Sequence, residues 1–308
     1  MNWSGVMPAM TTPFDSNLAV DHNFMSQHAQ WLLANGCSGL VALGSLGEGA
    51  TLDATEKVAI LRNTVKAVAG KAPVVAAISS LSTSHAVALA KEAEQAGCSG
   101  LMVLPPYIYS TDWREMKQHV SAIIAATPLS CMLYNNPVAY TTDFLPEQIA
   151  ELAQEYANLA AVKESSADVR RVAAIRAVLA DRIEILVGVD DVVVEAVGAG
   201  ARGWIAGLVN AFPAESVQLF NGALAGDFES VFPLYRWFLP LLRMDTVPRF
   251  VQLIKWVQAQ VGVGSARVRG PRLELAGAEL AAAQDILKTA LRDRARIDEV
   301  PFSQIAGA

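Results

Sequence analysis

The sequence predicts a (β/α)8 barrel with a C-terminal helical extension, and three observations lead to this fold class. Eight short apolar segments recur along the first two thirds of the chain, amphipathic segments separate them, and one helix-to-strand turn is used repeatedly. Eight βα units in succession favour a closed barrel over an open sheet. Residues 1–210 are assigned to the barrel. Residues 211–308 are assigned to its final helix and a helical region that forms one structural unit with it.

Each apolar segment is interpreted as a strand that is buried on both faces, as expected for parallel strands covered by helices. In chain order the predicted strands are Gly5–Met10, Gly39–Leu43, Val74–Ile78, Leu101–Leu104, Leu129–Leu133, Ala160–Val162, Ile183–Val187 and Trp204–Ala206.

The segments between the strands are rich in Ala, Leu, Glu and Lys, a composition that predicts helices. Ser84–Gln95 is an example, with a capping-type Ser82 before it and Gly97 after it. The aromatic segment Leu234–Leu242 either packs on the barrel or forms a subunit contact, and we expect packing. Beyond the eighth strand the predicted helices are Ala214–Ala225, Phe228–Leu242, Pro248–Val261 and Gly277–Arg292.

The repeated turn has a structural explanation. Residues 35–40 (NGCSGL) recur nearly unchanged as residues 96–101 (AGCSGL), and residues 199–204 (AGARGW) are a looser copy. In each copy one glycine ends a helix in a left-handed conformation and a second enters the next strand. We attach no chemistry to these glycines.

Composition narrows the range of partners. A net charge of −6 and a pI of about 5.3 provide no basic surface for nucleic acid. No apolar run approaches the roughly 18 residues of a membrane-spanning helix. The N-terminal segment MNWSGVMPAM lacks a basic leader, so a cytoplasmic location is expected.

The cysteines and histidines give no sign of a metal site. Cys37, Cys98 and Cys131 lie in apolar surroundings, which suits buried thiols in a reducing compartment. The four histidines lack the spacing that presents metal ligands on one face. We therefore expect no metal.

Lys163 is the first candidate catalytic residue. Barrel enzymes hold their catalytic groups at the C-terminal ends of the strands, and Lys163 ends the sixth strand. Burial lowers the pKa of a lysine, and the neutral amine can attack a carbonyl to form an imine. The alternative is a lysine that simply reaches solvent from the strand end.

Tyr134 ends the neighbouring fifth strand, before Asn135-Asn136-Pro137. Its phenol can relay protons if it lies within hydrogen-bond reach of the reacting groups. The alternative is an ordinary turn without a catalytic role.

The turn after the second strand suits a carboxylate ligand. Glycines flank Ser45 and Leu46 and expose backbone N–H groups at the head of a helix. The glycine spacing does not match a nucleotide-binding loop, and a tight turn without a ligand is the alternative.

Two acids, Asp190 and Asp191, follow the seventh strand. They can cap the next helix or accept hydrogen bonds from substrate hydroxyls. A two-carboxylate glycosidase or a carboxylate-bound Mg²⁺ would also use acids at strand ends, but no third acid at the other strand ends completes a metal shell.

Four motifs, GSLGE at residues 44–48, YNNP at 134–137, KESS at 163–166 and GVDD at 188–191, together resemble the dihydrodipicolinate synthase and N-acetylneuraminate lyase family along nearly the whole chain. The resemblance implies a class I aldolase mechanism without a cofactor and a homotetramer. It assigns imine formation to Lys163, proton relay to Tyr134, and the substrate carboxylate to Ser45 and the Leu46 N–H. The predicted substrate-binding residues are Ser45, Leu46, Gly188, Asp190 and Ile205.

Three departures from the synthase pattern bear on the substrate. Ser45-Leu46 replaces a Thr-Thr pair, Tyr107-Ile108 replaces two adjacent tyrosines, and Ala139 replaces the arginine that holds the carboxylate of the aldehyde substrate. These departures disfavour the lysine-biosynthetic reaction.

Residues 203–213 and 234–242 and the YNNP motif look most like a branch associated with hydroxyproline breakdown. That resemblance implies a 1-pyrroline-4-hydroxy-2-carboxylate deaminase, in which Lys163 attacks C2 and the C4 hydroxyl is eliminated. The proton donor at C4 is left open between Ser166, Asp190 and a water. The alternatives are a pyruvate-dependent aldolase, a 2-keto-3-deoxy sugar acid aldolase or dehydratase, and a non-catalytic binding barrel.

Overall fold

Eight parallel strands form the centre of the structure, a computed structural model that describes residues 1–108, 112–294 and 299–306. Most of their residues are buried, as expected for strands covered on both faces. The strands are β1 Gly5–Pro8, β2 Leu40–Ala42, β3 Val74–Ile78, β4 Gly100–Val103, β5 Ser130–Asn135, β6 Leu159–Glu164, β7 Glu184–Val187 and β8 Gly203–Ala206.

The sheet closes on itself. Its strand order is β1-β8-β7-β6-β5-β4-β3-β2, so each strand lies beside its neighbour in sequence and β8 pairs with β1. The remaining seam, between β1 and β2, is bridged by Ala9 and Val41, and the N–H of Met10 donates to the Val41 carbonyl over 2.8 Å. The predicted (β/α)8 barrel is confirmed.

Helices surround the barrel and continue beyond it. Asp53 caps α2 with a capping box, and Asp21, Ser82 and Asp112 cap α1, α3 and α4. Within the described ranges the helices are α1 His22–Ala34, α2 Ala54–Val68, α3 Thr83–Gln95, α4 Trp113–Ile124, α5 Pro137–Tyr140, α6 Pro146–Glu155, α7 Arg170–Leu179, α8 Val193–Gly198, α9 Pro213–Ala225, α10 Phe228–Leu242, α11 Phe250–Gln260, α12 Gly277–Arg292 and α13 Phe302–Ala306.

Strands β5 and β6 run further than the sequence predicts. Tyr134 pairs with Lys163 and Asn135 with Glu164, so these polar residues lie inside the hydrogen-bonded sheet. Asn135 Nδ2 donates to Glu164 Oε2 over 3.0 Å. This hydrogen bond satisfies both polar side chains inside the sheet. The apolar pattern of the sequence does not include them in the strands. The ladder ends with the N–H of Ser165 donating to the Asn135 carbonyl.

The aromatic helix α10 packs inward. Phe238, Leu241 and Leu242 are fully buried, and the Tyr235 hydroxyl donates to the Asp191 carbonyl after β7. The three cysteines are buried and unpaired. In the described ranges, no helix is both long enough and apolar enough to cross a bilayer.

Candidate active site

Lys163 and Tyr134 face each other at the C-terminal end of the barrel. Their backbones are in register across β5 and β6, and Lys163 Nζ lies 4.1 Å from the centre of the Tyr134 ring. Only 6% of Lys163 is exposed. Burial lowers the pKa of its amine, and this shift is partly offset by Tyr140, Asp245 and Asp190.

Gly188 makes room for the lysine. A β-carbon at this position would overlap Lys163 Cε and Ser165 Oγ. The absent side chain at the end of β7 therefore lets the lysine stem lie flat against the backbone, directed into the site.

Tyr140 lies between Tyr134 and the turn that bears Ser45. The Tyr140 ring stands perpendicular to that of Tyr134, at 5.7 Å between centroids, and its hydroxyl is hydrogen-bonded to Ser45 Oγ. The Tyr107 ring also contacts the Tyr140 ring, tilted by 36° and with 5.0 Å between the centroids. Asn136 Nδ2 donates to the Tyr134 oxygen over 3.0 Å. Burial raises the pKa of both Tyr134 and Tyr140, so both phenols keep their protons at neutral pH.

The turn that bears Ser45 and Leu46 is held by a buried ion pair. Lys255 Nζ of α11 donates to Glu48 Oε1 over 2.7 Å, and the N–H of Arg269 donates to Glu48 Oε2 over 3.0 Å. Glu48 and Lys255 are 0% and 1% exposed. Within the described ranges, the N–H groups of Ser45 and Leu46 have no hydrogen-bond acceptor, so they can bind a carboxylate.

Asp190 does not face the cavity. It is fully buried, and its carboxylate accepts hydrogen bonds from Trp204 Nε1 at 3.0 Å and from the N–H groups of Gly207 and Leu208. It holds the turn after β8 in place. Burial raises its pKa to about 6. The substrate contact predicted for Asp190 has no counterpart in this geometry, because its oxygens are already bound to the protein.

The remaining predicted site residues line one cavity of about 560 Å³, within the size range of small-molecule sites. Those brought together are Lys163, Tyr134, Ser45, Leu46, Gly188 and Ile205.

The cavity residues that were not predicted from the sequence include Tyr140, Asp245 and Arg272. Tyr140 enters from the short helix α5, whose start is marked by the Asn136 cap and Pro137. Asp245 enters from the 3₁₀ turn after α10, and Arg272 from the segment before α12. The Asn-Pro pair signals the turn before Tyr140, but no sequence signal indicates that residues 245 and 272 return to the barrel.

The described residues contain no group of three His, Cys, Asp or Glu side chains placed to hold a metal ion.

Comparisons with known proteins place this site in context. Residues 2–290 match the model of the dihydrodipicolinate synthetase family. The 4-hydroxy-tetrahydrodipicolinate synthase of Bacillus subtilis (strain 168) is 32% identical over 243 residues, which cover 79% of this chain and 84% of that protein. The enzyme of the same name from Acidithiobacillus ferrooxidans (strain ATCC 53993) is 34% identical over 224 residues, covering 73% and 77%.

Solved structures of two synthases also have the same fold as this chain. The 4-hydroxy-tetrahydrodipicolinate synthase of Methylacidiphilum fumariolicum SolV superposes with a TM-score of 0.91 at 26% identity, covering 94% of this chain and 97% of that one. A dihydrodipicolinate synthase of Bacillus anthracis gives a TM-score of 0.89 at 27% identity, covering 94% and 98%.

Proposed function

The chain belongs to the dihydrodipicolinate synthetase family of lyases, and we propose that it is a Schiff-base enzyme that converts 1-pyrroline-4-hydroxy-2-carboxylate and water into 2,5-dioxopentanoate and ammonia. The proposal rests chiefly on the buried amine of Lys163, which faces Tyr134 inside the cavity. An amine whose pKa is lowered by burial has a larger neutral fraction and attacks an electrophilic carbon more readily.

Substrate binding begins with the carboxylate. The Ser45 hydroxyl and the N–H groups of Ser45 and Leu46 hold it, which brings C2 of the ring to Lys163. The amine adds to the C2=N bond, and Tyr134 donates its proton to the ring nitrogen. The bond between C2 and that nitrogen then breaks, leaving a lysine imine and a free primary amine at C5.

The lysine imine withdraws electrons from C3. The Tyr134 phenolate takes a proton from C3 and so regains its own, and the electron pair forms the C3–C4 double bond as the C4 hydroxyl leaves. Tyr140 and Ser45 extend the relay away from Tyr134. Isomerisation to the C5 imine and two hydrolyses then release ammonia and 2,5-dioxopentanoate. One water is lost and two are consumed.

The cavity wall supports this substrate over that of the synthases. Val138 and Ala139 line it where an arginine is expected in a synthase, and Tyr140 of the same chain occupies the place beside Ser45. The substrate has one carboxylate, for which the turn at Ser45 is sufficient.

A second candidate is a pyruvate-dependent aldolase. Arg272 favours it, because this cation lines the cavity and could hold a second acidic group. Its guanidinium is already 3.9 Å from Glu48, however, which reduces its availability.

The test is borohydride trapping followed by intact-mass analysis, combined with an ammonia assay. We expect the wild-type protein to form a trapped adduct with the hydroxypyrroline carboxylate and to release ammonia. Lys163→Ala should do neither, whereas Lys66→Ala, a change at an exposed lysine of α2, should behave like the wild type. Trapping with pyruvate alone, without ammonia release from the pyrroline, would favour the aldolase.

A further inference from the structure

Asp245 has a carboxyl oxygen that nothing in the described residues satisfies. The residue ends the 3₁₀ turn Arg243–Asp245 and lines the cavity that contains Lys163. Its Oδ1 is buried and has no hydrogen-bond partner there. A buried polar oxygen without a partner costs about 1–3 kcal/mol, so an oxygen of this kind at a cavity wall points to a role with a ligand.

The carboxyl group of Asp245 is fixed in place by its neighbours. It packs against Gly207, where a β-carbon would overlap it. Arg243, two residues earlier, pairs with Asp191 at the end of β7 over 3.4 Å. The turn is thus anchored to the barrel, and the glycine after β8 leaves the space that the carboxyl group fills.

The surroundings of Asp245 favour its protonated form. Burial raises its pKa well above the usual value, and the nearby carboxylate of Asp190 raises it further. The positive charge of Lys163 acts in the opposite direction and offsets part of the shift. Asp245 also affects the pKa of Tyr134, which burial raises first, so the phenol of Tyr134 keeps its proton. A carboxylic acid held neutral in this way can donate a proton.

The two side chains considered from the sequence are less suitable donors. Asp190 binds Trp204, Gly207 and Leu208 and does not face the cavity. Ser166 does not line the cavity, and its hydroxyl oxygen accepts from the N–H of Asp168 over 3.2 Å.

We infer that Asp245 is the general acid that protonates the C4 hydroxyl of the substrate as it leaves, an inference that rests on the proposed function. The O–H bond of Asp245 and the C4–O bond break, and the hydroxyl departs as water. The electron pair released at C3, once Tyr134 has taken the proton, forms the C3–C4 double bond. The Asp245 carboxylate regains a proton from solvent after the product leaves.

The test compares wild type, Asp245→Asn and Asp285→Asn on two substrates, the hydroxypyrroline carboxylate and its C4-fluoro analogue. Asp245→Asn keeps the shape of the side chain but has no acidic proton. Asp285 is exposed on α12 and provides the matched control. Fluoride leaves without protonation, so the analogue separates general-acid catalysis from a merely structural role.

We expect Asp245→Asn to lower kcat on the hydroxyl substrate by about 100-fold or more, within the usual range for general-acid catalysis. Fluoride release from the analogue should change by less than about fivefold, because that step needs no acid. Borohydride should trap an adduct heavier, by one water, than the dehydrated species trapped from wild type. Asp285→Asn should match wild type throughout.

Other outcomes separate the two proposals. A wild-type protein that releases no ammonia from the hydroxypyrroline overturns the proposed function and the inference with it. If wild type is active, the function stands, and the assignment of Asp245 is overturned by any of three results. These are unchanged kcat in Asp245→Asn, an equal loss on both substrates, or loss of the trapped imine.

Discussion

Lys163 Nζ lies over the face of Tyr134, 4.1 Å from the ring centre, because the two residues are paired across β5 and β6. Sheet register, rather than a flexible loop, sets this distance. The same pairing that holds the barrel together therefore holds the proposed nucleophile, Lys163, beside the proposed proton carrier, Tyr134.

Removing the Tyr134 hydroxyl should slow turnover while leaving the nucleophile intact. We expect Tyr134→Phe to lower kcat by about 100-fold or more, since proton transfer through a positioned side chain contributes that much. Borohydride should still trap an adduct on Lys163 at long incubation. Tyr156→Phe, at the tyrosine that follows α6 and packs against the core, is the control and should keep full activity. Unchanged kcat in Tyr134→Phe would remove it from the relay.

Tyr140 and Ser45 should act as one unit, because their hydroxyls are bonded to each other. Each of Tyr140→Phe and Ser45→Ala should lower kcat/KM, and the double variant should lose less than the product of the two effects. The expected coupling is about 1 kcal/mol, the net value of one hydrogen bond. A double-mutant cycle on steady-state rates measures it, and strict additivity would count against a shared path.

Gly188→Ala should impair activity far more than folding. The new methyl group would overlap Lys163 Cε, and the long lysine side chain can move aside more easily than the strand. We expect a loss of imine trapping of about 100-fold, since small displacements of a reacting group have effects of this size. Gly198→Ala, where a β-carbon meets nothing within 4 Å, is the matched control. Thermal unfolding of both variants separates misfolding from misplacement.

The buried pair of Glu48 and Lys255 should show a strong asymmetry between single and double changes. Lys255→Met leaves Glu48 buried without its main partner, and we expect it to cost about 3–5 kcal/mol of unfolding free energy. Adding Glu48→Gln should recover part of that loss, because no uncompensated charge is left. Denaturant unfolding gives both values, and a double variant less stable than the single one would contradict the reasoning.

The rate of imine trapping should rise with pH and level off below the pH at which an ordinary lysine titrates. Burial lowers the pKa of Lys163, so its neutral fraction appears earlier than the usual value of about 10.4 allows. The negative charge of Asp190 limits the shift without reversing it. Trapping rates with the hydroxypyrroline carboxylate across the pH range in which the protein stays folded provide the profile. A midpoint at or above that of free lysine would rule out an amine activated by burial.

The sequence was sufficient to predict the barrel and the approximate position of each of its strands. Apolar runs of regular spacing placed β3 at its observed bounds, and Lys163 and Tyr134 followed from the rule that catalytic groups lie at strand ends. The strand bounds erred at β5 and β6, where the polar residues Asn135 and Glu164 satisfy each other inside the sheet. Patterning by hydrophobicity does not detect such pairs.

Residues that approach the site from outside the strands could not be found in this way. Tyr140 is hydrogen-bonded to Ser45, and Asp245 packs against Gly207, so both contacts join residues that are far apart in sequence. For Asp190 the sequence predicts a contact with substrate, whereas in the structure its carboxylate binds groups of the protein. An acid after a strand can bind a ligand or a backbone, and only the positions of Gly207 and Leu208 show that it binds the backbone.

The hydrogen bonds to Glu48 link the barrel to the helical extension that follows it. The turn that presents Ser45 belongs to the barrel, yet it is clamped by Lys255 of α11 and by the backbone of Arg269. A chain cut after β8 would contain all eight strand segments and Lys163, but it would lack the groups that hold Glu48 in the turn of Ser45. The helical extension therefore supports one wall of the cavity from outside the barrel, and we expect a barrel separated from it to lose the shape of that wall.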